Sequence, residues 1–145
     1  MTVRVLTPGE LRQFQSLLRL FERVFEMKDF IPPPDEHLRS VLADDGFIAM
    51  VAEEEGAVVG GLTAYILRQY YMTRPIAYVY DLAVETTRQR QGIGLRLMTE
   101  LREHCRARGC DEVFVQADNV DEHALRFYRK SGASEEAVTH FTYSL

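Results

Sequence analysis

Three observations predict a single α/β domain built around a mixed sheet. The 145-residue chain is 46% hydrophobic and 27% charged, the balance of a globular protein with a substantial core. Amphipathic segments of helical period alternate with short apolar runs of strand length. No repeat, linker or low-complexity stretch interrupts this alternation. We therefore predict one domain over residues 1–145, with the element order β-α-α-β-β-β-α-β-α-β.

The first half of the chain contains two predicted helices and a hairpin. Thr7-Pro8-Gly9-Glu10 has the pattern of a capping box with proline at the first helical position. Apolar residues spaced by three and four then form one helix face: Leu11, Phe14, Leu18, Phe21 and Phe25. After three consecutive prolines, Asp35 opens a short second helix. Two apolar runs, 47–52 and 57–67, are joined by Glu53-Glu54-Glu55-Gly56 and predict a hairpin.

The second half continues with a strand, a long helix and three further elements. The strand covers Ile76 to Val84, and the helix after it has an apolar stripe of Ile93, Leu97, Met98, Leu101 and Cys105. Gly109 is placed to end that helix. A strand from Val113 to Gln116 and a helix from about Asp121 to Lys130 follow. A final strand or hairpin is predicted from Ala137 to Leu145.

Composition excludes several classes of function. The formal net charge of −5 argues against nucleic acid as a partner, which would require a basic surface. No segment approaches the roughly 20 apolar residues of a membrane span, so no membrane partner is expected. The N-terminus lacks the apolar core of a signal peptide, which favours a cytoplasmic protein. Cys105 and Cys110 form neither a disulfide framework nor a metal cluster, so we expect no metal and a buried free thiol at Cys105.

A glycine-rich stretch links the central strand to the long helix. Gln89-Arg90-Gln91-Gly92-Ile93-Gly94 places free backbone N–H groups at the positive end of a helix, where a pyrophosphate can bind. It matches neither the dinucleotide fingerprint nor the loop of nucleoside triphosphatases. A tight turn that is rich in glycine for steric reasons is the alternative. The neighbouring cations Arg88, Arg90 and Arg96 favour phosphate binding.

One carboxylate, Asp81, lies within the apolar strand that precedes this stretch. Burying an unpaired carboxylate costs several kcal/mol, so Asp81 needs a cation or hydrogen-bond donors. An ammonium group of a substrate is one candidate partner, and an internal arginine is the other. Simple strand alternation places Tyr78 and Tyr80 on the face opposite Asp81.

These residues resemble the GNAT superfamily of N-acetyltransferases. Gln89-x-x-Gly92-x-Gly94, after a strand ending in Leu82-Ala83-Val84, is similar to its acetyl-coenzyme A motif. The segment from Ala124 to Gly132 resembles its second conserved helix, and the likeness covers roughly residues 47–133. The resemblance implies a mixed, mostly antiparallel sheet with helices on both faces and a splayed central strand pair.

A narrower resemblance points to the aminoglycoside 3-N-acetyltransferases. It rests on three stretches of the chain, which run from Ala57 to Tyr65, from Tyr78 to Val84 and from Val115 to Asp118. It implies acetyl transfer from acetyl-coenzyme A to the 3-amino group of a small polycationic antibiotic, by direct attack in a ternary complex. Another amine acceptor, such as a polyamine, a small metabolite or a protein amine, and a non-catalytic coenzyme A-binding module remain alternatives. Dimerisation is common in the superfamily, which leaves a homodimer open.

The resemblance also assigns the residues on the donor side. Those implied to contact acetyl-coenzyme A are Leu82, Ala83, Val84, Gln89, Arg90, Gln91, Gly92, Ile93, Gly94, Leu95, Asn119, Asp121, Ala124 and Tyr128. Tyr128 matches the family's general acid, with a core aromatic as the alternative. The chain departs from the family pattern at Asp121, where asparagine is frequent, and at Ala133, where phenylalanine is frequent.

On the acceptor side, Asp81 is the candidate catalytic base and amine ligand. Asp118 and Glu122 follow the next strand, where the family opens its acceptor cleft, although a solvated loop explains them equally well. Glu26 follows the first helix and is assigned to the acceptor wall by fold analogy alone.

Overall fold

A computed structural model covers residues 1–145, which form two compact units, Met1–Val115 and Gln116–Leu145. The first unit contains β1 (Thr2–Val5), α1 (Leu11–Val24), α2 (Asp35–Ala43), β2 (Phe47–Glu54), β3 (Ala57–Leu67), β4 (Ile76–Val84), α3 (Ile93–Ala107) and β5 (Glu112–Val115). A single 3₁₀ turn, Thr86–Arg88, separates β4 from α3. The second unit contains α4 (Glu122–Lys130). The predicted element order is confirmed as far as α4.

The five strands form one sheet in the order β1-β2-β3-β4-β5. All neighbours are antiparallel except β4 and β5, which are parallel. The ladder between β4 and β5 ends at the pair Val79 and Val115, whereas β4 continues to Val84. The last five residues of β4 therefore have no strand neighbour on that side, as the splayed pair of the predicted fold requires.

Helices cover both faces of this sheet, and two adjacent glycines of β3 show which helix lies where. A Cβ on Gly61 would collide with the side chain of Leu17 in α1. A Cβ on Gly60 would lie 3.1 Å from Ile93 Cγ2 in α3. Since adjacent strand residues point to opposite faces, α1 packs on one face and α3 on the other.

The buried face of α1 is rotated from the predicted one. Its buried residues are Phe14, Leu17, Leu20 and Phe21. Leu18 is only partly buried, and Phe25 lies beyond the helix with 43% of its surface exposed. Several faces of this leucine-rich helix fit a spacing of three and four, so packing against Gly61 decides among them.

The start of α1 also differs from the prediction. The helix begins at Leu11, and Pro8 lies in the turn before it rather than at the first helical position. The backbone N–H of Thr7 donates to Glu10 Oε2 at 2.7 Å, which is half of the expected capping box. This hydrogen bond lowers the pKa of Glu10.

Two local patterns predicted their elements closely. The hairpin between β2 and β3 turns on Glu55 and Gly56, both with positive φ (51° and 79°), as a two-residue type I′ turn requires. The buried residues of α3 are the predicted stripe: Ile93, Leu97, Met98, Leu101 and Cys105. Cys105 and Cys110 are buried free thiols.

The predicted strand at Ala137–Leu145 is wrong. Residues 133–145 have no regular secondary structure, and Val138, Phe141 and Tyr143 are largely exposed. Alternating apolar residues suit a strand, but its backbone groups also need a neighbouring strand, and this segment has none.

No helix in the chain has the length and apolar character needed to cross a bilayer.

Candidate active site

A β-bulge in β4 defines the geometry around Asp81. Thr63 of β3 lies opposite Asp81, but the next residue of β3, Ala64, lies opposite Val79. Tyr80 is therefore an extra residue in β4 with no partner of its own. Such an insertion reverses the alternation of side chains on the two sides of the bulge.

The bulge places Tyr78, Tyr80 and Asp81 on the same face of the sheet. Tyr78 lies opposite Tyr65, and Asp81 lies opposite Thr63. Tyr65 and Thr63 share the face of β3 to which Gly61 belongs, which is the face covered by α1. The prediction that both tyrosines lie opposite Asp81 is thus wrong, because it assumed an uninterrupted strand.

Asp81 is a half-buried carboxylate without an internal cation. No ion pair and no hydrogen bond involves its side chain. Burial raises the pKa of Asp81 above its ordinary value, with no neighbouring positive charge to oppose the effect. Of the two partners expected from the sequence, the internal arginine is absent.

Four aromatic residues form a row across the α1 face of the sheet, one from each of the strands β2 to β5. We call this set the aromatic row: Phe47, Tyr65, Tyr78 and Phe114. Ring centroids of Phe47 and Tyr65 are 5.3 Å apart, and those of Tyr78 and Phe114 are stacked at 4.8 Å. The row passes through Tyr65, two residues along β3 from Thr63, the residue opposite Asp81.

Tyr80 adds a fifth ring to this row. Its centroid lies 5.9 Å from that of Tyr65 and 5.9 Å from that of Tyr78, both in edge-on orientation. Tyr80 is 61% exposed and Tyr65 is 40% exposed, so both rings are accessible. Burial raises the pKa of Tyr65, and the nearby charges of Tyr80, Asp81 and Asp44 raise it further.

The N-terminus of α3 has the features of an anion site. Gly92 adopts a left-handed conformation (φ 82°) at the N-cap, and no side chain caps the helix. The first backbone N–H groups of an uncapped helix have no partner and point outward. A Cβ on Gly92 would meet nothing within 4 Å, so glycine is required here by its backbone angle and the space before the helix is open.

The arginines near this helix end are not equivalent. Arg88 forms an ion pair with Glu54 and donates a hydrogen bond to Gln91 Oε1, so its charge is largely neutralised within the protein. Arg96 makes a long contact of 3.5 Å with the carbonyl of Met1. Arg90 has a positive φ of 63°, is exposed and has no ion pair. Sequence analysis grouped the three arginines as one cluster. In the structure Arg90 is the best placed of them to pair with a bound anion, because it has no partner within the protein.

The end of β4 connects Asp81 to this candidate anion site. Ala83 is buried in the core beneath α1, whereas Leu82 and Val84 are partly buried. Gln89 Nε2 donates to the carbonyl of Val84 at 3.2 Å, which ties the glycine-rich stretch back to the strand. At about 3.3 Å per residue, the Cα of Asp81 lies about 10 Å from that of Val84.

Glu26 lies just beyond α1, which is held near the end of β4. Arg23 Nη2 contacts Glu85 Oε2 at 2.7 Å, so the last turn of α1 is fixed beside the residue that follows β4. Glu26 is exposed and has a positive φ of 52°. Its side chain makes no hydrogen bond or ion pair with Asp81.

The remaining predicted site residues belong to the second unit. Asp121 Oδ1 accepts the N–H of Ala124 at 3.0 Å and so caps α4, while the carbonyl of Asp118 accepts the N–H of Asp121 at 2.9 Å. Asn119 and Glu122 are exposed. Tyr128 is partly buried, with its ring edge-on to Phe127 at 5.0 Å. The aspartate that departs from the family pattern therefore serves the helix itself.

Comparison with known proteins identifies the fold. Residues 14–133, most of the chain, match the family described as "Acetyltransferase (GNAT) family". The chain belongs to the GNAT acetyltransferases. The solved structure of the aminoglycoside acetyltransferase meta-AAC0020, from an uncultured soil metagenomic sample and in complex with sisomicin, is 49% identical to this acetyltransferase. The two superpose with a TM-score of 0.98 over 99% of this chain and 95% of the other.

Two further relatives show the breadth of the likeness. The aminoglycoside acetyltransferase HMB0005, also from an uncultured soil metagenomic sample, is 36% identical, with a TM-score of 0.93 over 100% of this acetyltransferase and 99% of the other chain. Histone acetyltransferase GCN5 of Debaryomyces hansenii is 25% identical over 134 residues, or 92% of this chain. This acetyltransferase spans only 28% of the length of that yeast protein.

Sequence reasoning missed two features of the site. Sequence analysis gave Tyr65 no site role of its own, yet its ring meets that of Tyr80 and its pKa is raised by the nearby charge of Asp81. The bulge has no signal in β4 alone, because it exists only in the pairing with β3. The alternation of Ala77, Val79 and Ala83 as buried residues conceals it.

Proposed function

We propose that this acetyltransferase transfers an acetyl group from acetyl-coenzyme A to the 3-amino group of an aminoglycoside, by direct attack in a ternary complex. One observation supports this most directly: Asp81, a half-buried carboxylate without an internal cation, lies on an accessible aromatic face. A polycationic amine supplies the charge that this carboxylate lacks. The relatives that are 49% and 36% identical, both described as aminoglycoside acetyltransferases, support the same acceptor class.

The donor side of the proposal rests on α3 and the end of β4. Bound acetyl-coenzyme A would supply a thioester carbonyl and a thiolate leaving group. The backbone N–H groups from Gln89 to Leu95 would hold its pyrophosphate, with Arg90 as an exposed cation that forms no ion pair within the protein. The unpaired edge of β4 from Leu82 to Val84 offers backbone groups for the pantetheine arm and a donor for the carbonyl oxygen.

The acceptor side requires a group that removes a proton from an ammonium. Burial raises the pKa of Asp81, which brings the carboxylate closer to the basicity that a general base needs near neutral pH. Asp81 would accept one proton from the ammonium, so that the neutral amine attacks the acetyl carbon. Tyr128 would donate its phenolic proton to the leaving thiolate, a role carried over from the family motif. The second proton, lost by the attacking nitrogen as the amide forms, would reprotonate Tyr128 through solvent.

The experiment is a thiol-release assay with acetyl-coenzyme A and sisomicin. We expect turnover by the natural chain and a loss of about 10²- to 10⁴-fold in kcat for Asp81→Asn, the usual contribution of a general base. Asp111→Asn is the matched control, since Asp111 is an exposed acid paired only with Arg74. Tyr128→Phe should lower kcat as well, and NMR of the product would identify the acetylated nitrogen.

Absence of both binding and turnover at millimolar drug would exclude the aminoglycoside acceptor. The likeness to the yeast histone acetyltransferase favours a protein amine as the second candidate. A panel of lysine peptides and polyamines in the same assay separates the two. Coenzyme A binding by calorimetry without turnover of any amine would instead support a non-catalytic binding module.

A further inference from the structure

We propose that Tyr80 and Tyr65 bind the acceptor directly, by holding an ammonium-bearing ring of that acceptor against their aromatic faces beside Asp81. This inference rests on the proposed function and specifies how the same site recognises its substrate class. It depends on the bulge in β4, which places Tyr80 beside Asp81.

The bulge brings an aromatic ring and a carboxylate to the same face in consecutive positions. In a regular strand Tyr80 and Asp81 would point to opposite faces of the sheet. Here both lie on the α1 face, and Tyr80 is inserted beside the aromatic row. Bulges commonly redirect a side chain in this way next to active sites.

Tyr80 is held in place although most of its surface is exposed. Its ring meets Tyr65 on one strand and Tyr78 on its own strand, each with a centroid separation of 5.9 Å. Tyr78 is itself stacked on Phe114 at 4.8 Å. An exposed ring supported in this way loses little side-chain entropy when a ligand binds against it.

The charges around these rings suit a cation. Asp81 and Asp44 both lie close enough to Tyr65 to raise its pKa, and no arginine or lysine is paired with Asp81. The faces of tyrosine rings attract ammonium groups that approach within about 6 Å of the centroid. An acceptor ring that carries two amines can place one on Asp81 and the other over Tyr80 or Tyr65.

Calorimetry without the acetyl donor tests this contact separately from catalysis. The probes are sisomicin, which is polycationic, and trehalose, a neutral sugar. We expect Tyr80→Leu to weaken sisomicin binding by about 5- to 30-fold, the size of a partly desolvated cation–π contact. Tyr80→Phe keeps the ring and should bind as the natural chain does, and trehalose should bind much more weakly to every variant.

Tyr70→Leu is the matched control, because Tyr70 is a fully exposed tyrosine outside the aromatic row. In steady-state assays Tyr80→Leu and Tyr65→Leu should raise the KM for sisomicin and leave the KM for acetyl-coenzyme A unchanged. A structural fault in the site would alter both constants.

The outcomes separate this inference from the proposed function. If the natural chain acetylates sisomicin and Tyr80→Leu and Tyr65→Leu bind it normally, the aromatic contact is refuted and the function stands. If the natural chain acetylates another amine instead, the aminoglycoside assignment falls, and the same variants with that amine decide the contact. If no amine is acetylated or bound, both fall together.

Discussion

The substitution Gly92→Ala tests whether the candidate anion site needs glycine for its backbone angle, since an added side chain has room at this position. Gly92 has a φ of 82°, a left-handed angle that costs an alanine about 1–2 kcal/mol. Beyond the two adjacent residues, no atom of the protein lies within 4 Å of the added Cβ, so the variant meets no other part of the fold. The strain is relieved if residue 92 rotates to a negative φ. This rotation turns the backbone N–H groups of the glycine-rich stretch away from the point in front of α3 toward which they are proposed to converge.

The expected result is a selective loss of donor binding. One hydrogen bond from a backbone amide to a charged phosphate is worth about 1.5–3 kcal/mol, so losing one raises the KM for acetyl-coenzyme A by about 10- to 150-fold. Coenzyme A titration by calorimetry measures the same change without turnover. Thermal unfolding gives the cost in stability, expected at about 1–2 kcal/mol.

The other end of the same helix provides the control. Gly109 ends α3 with a φ of 79°, and its added Cβ also meets nothing within 4 Å. Gly109→Ala should therefore destabilise the protein as much as Gly92→Ala and leave coenzyme A binding unchanged. Equal weakening of coenzyme A binding by both variants, or no weakening by Gly92→Ala, would refute the assignment of the donor site to this helix end.

Two further predictions concern titratable groups in the core and the site. Burial raises the pKa of Asp81, so the ionisation of this carboxyl opposes folding above its folded-state pKa. The substitution Asp81→Asn should therefore raise the melting temperature at pH 7–8. This gain should shrink as the pH falls toward the ordinary carboxyl pKa of 3.8. A gain that grew with acidity would show that the carboxylate has a stabilising partner. Burial and the neighbouring Cys110 raise the pKa of Cys105 to about 12, against 9.0 for an ordinary thiol. In the natural chain, alkylation of Cys105 by iodoacetamide at pH 8 should therefore be about a thousandfold slower in the folded protein than in denaturant. Mass spectrometry of the alkylated product measures this ratio, and similar rates in both states would contradict a buried thiol.

The elements with strong local patterns were predictable from the sequence. The stripe of α3 repeats every three or four residues and faces a single sheet, so its period alone marks the buried side. The turn at Glu55 and Gly56 requires two positive φ angles, which the glycine helps to mark. The glycine-rich stretch before α3 could be recognised for the same reason, since Gly92 adopts an angle that few other residues accept.

Other features required contacts between distant parts of the chain. Arg88 and Arg90 are indistinguishable as sequence, but Glu54 lies within reach of Arg88 alone. Among the candidate faces of α1, packing against Gly61 selects the one that contains Leu17. The apolar residues near the C-terminus alternate as a strand would, yet a strand also needs a partner, which alternation cannot provide.

The sequence by itself determined that an acid lies in the central strand, and it predicted an anion site after that strand. The tertiary structure decided which way that acid points. Side chains in a strand alternate with a period of two, so one extra residue reverses every position beyond it. Only the pairing of β4 with β3 makes Tyr80 the extra residue of a bulge: Thr63 lies opposite Asp81, the next residue Ala64 lies opposite Val79, and Tyr80 has no partner. This pairing places Asp81 on the aromatic face, where an incoming amine is proposed to bind.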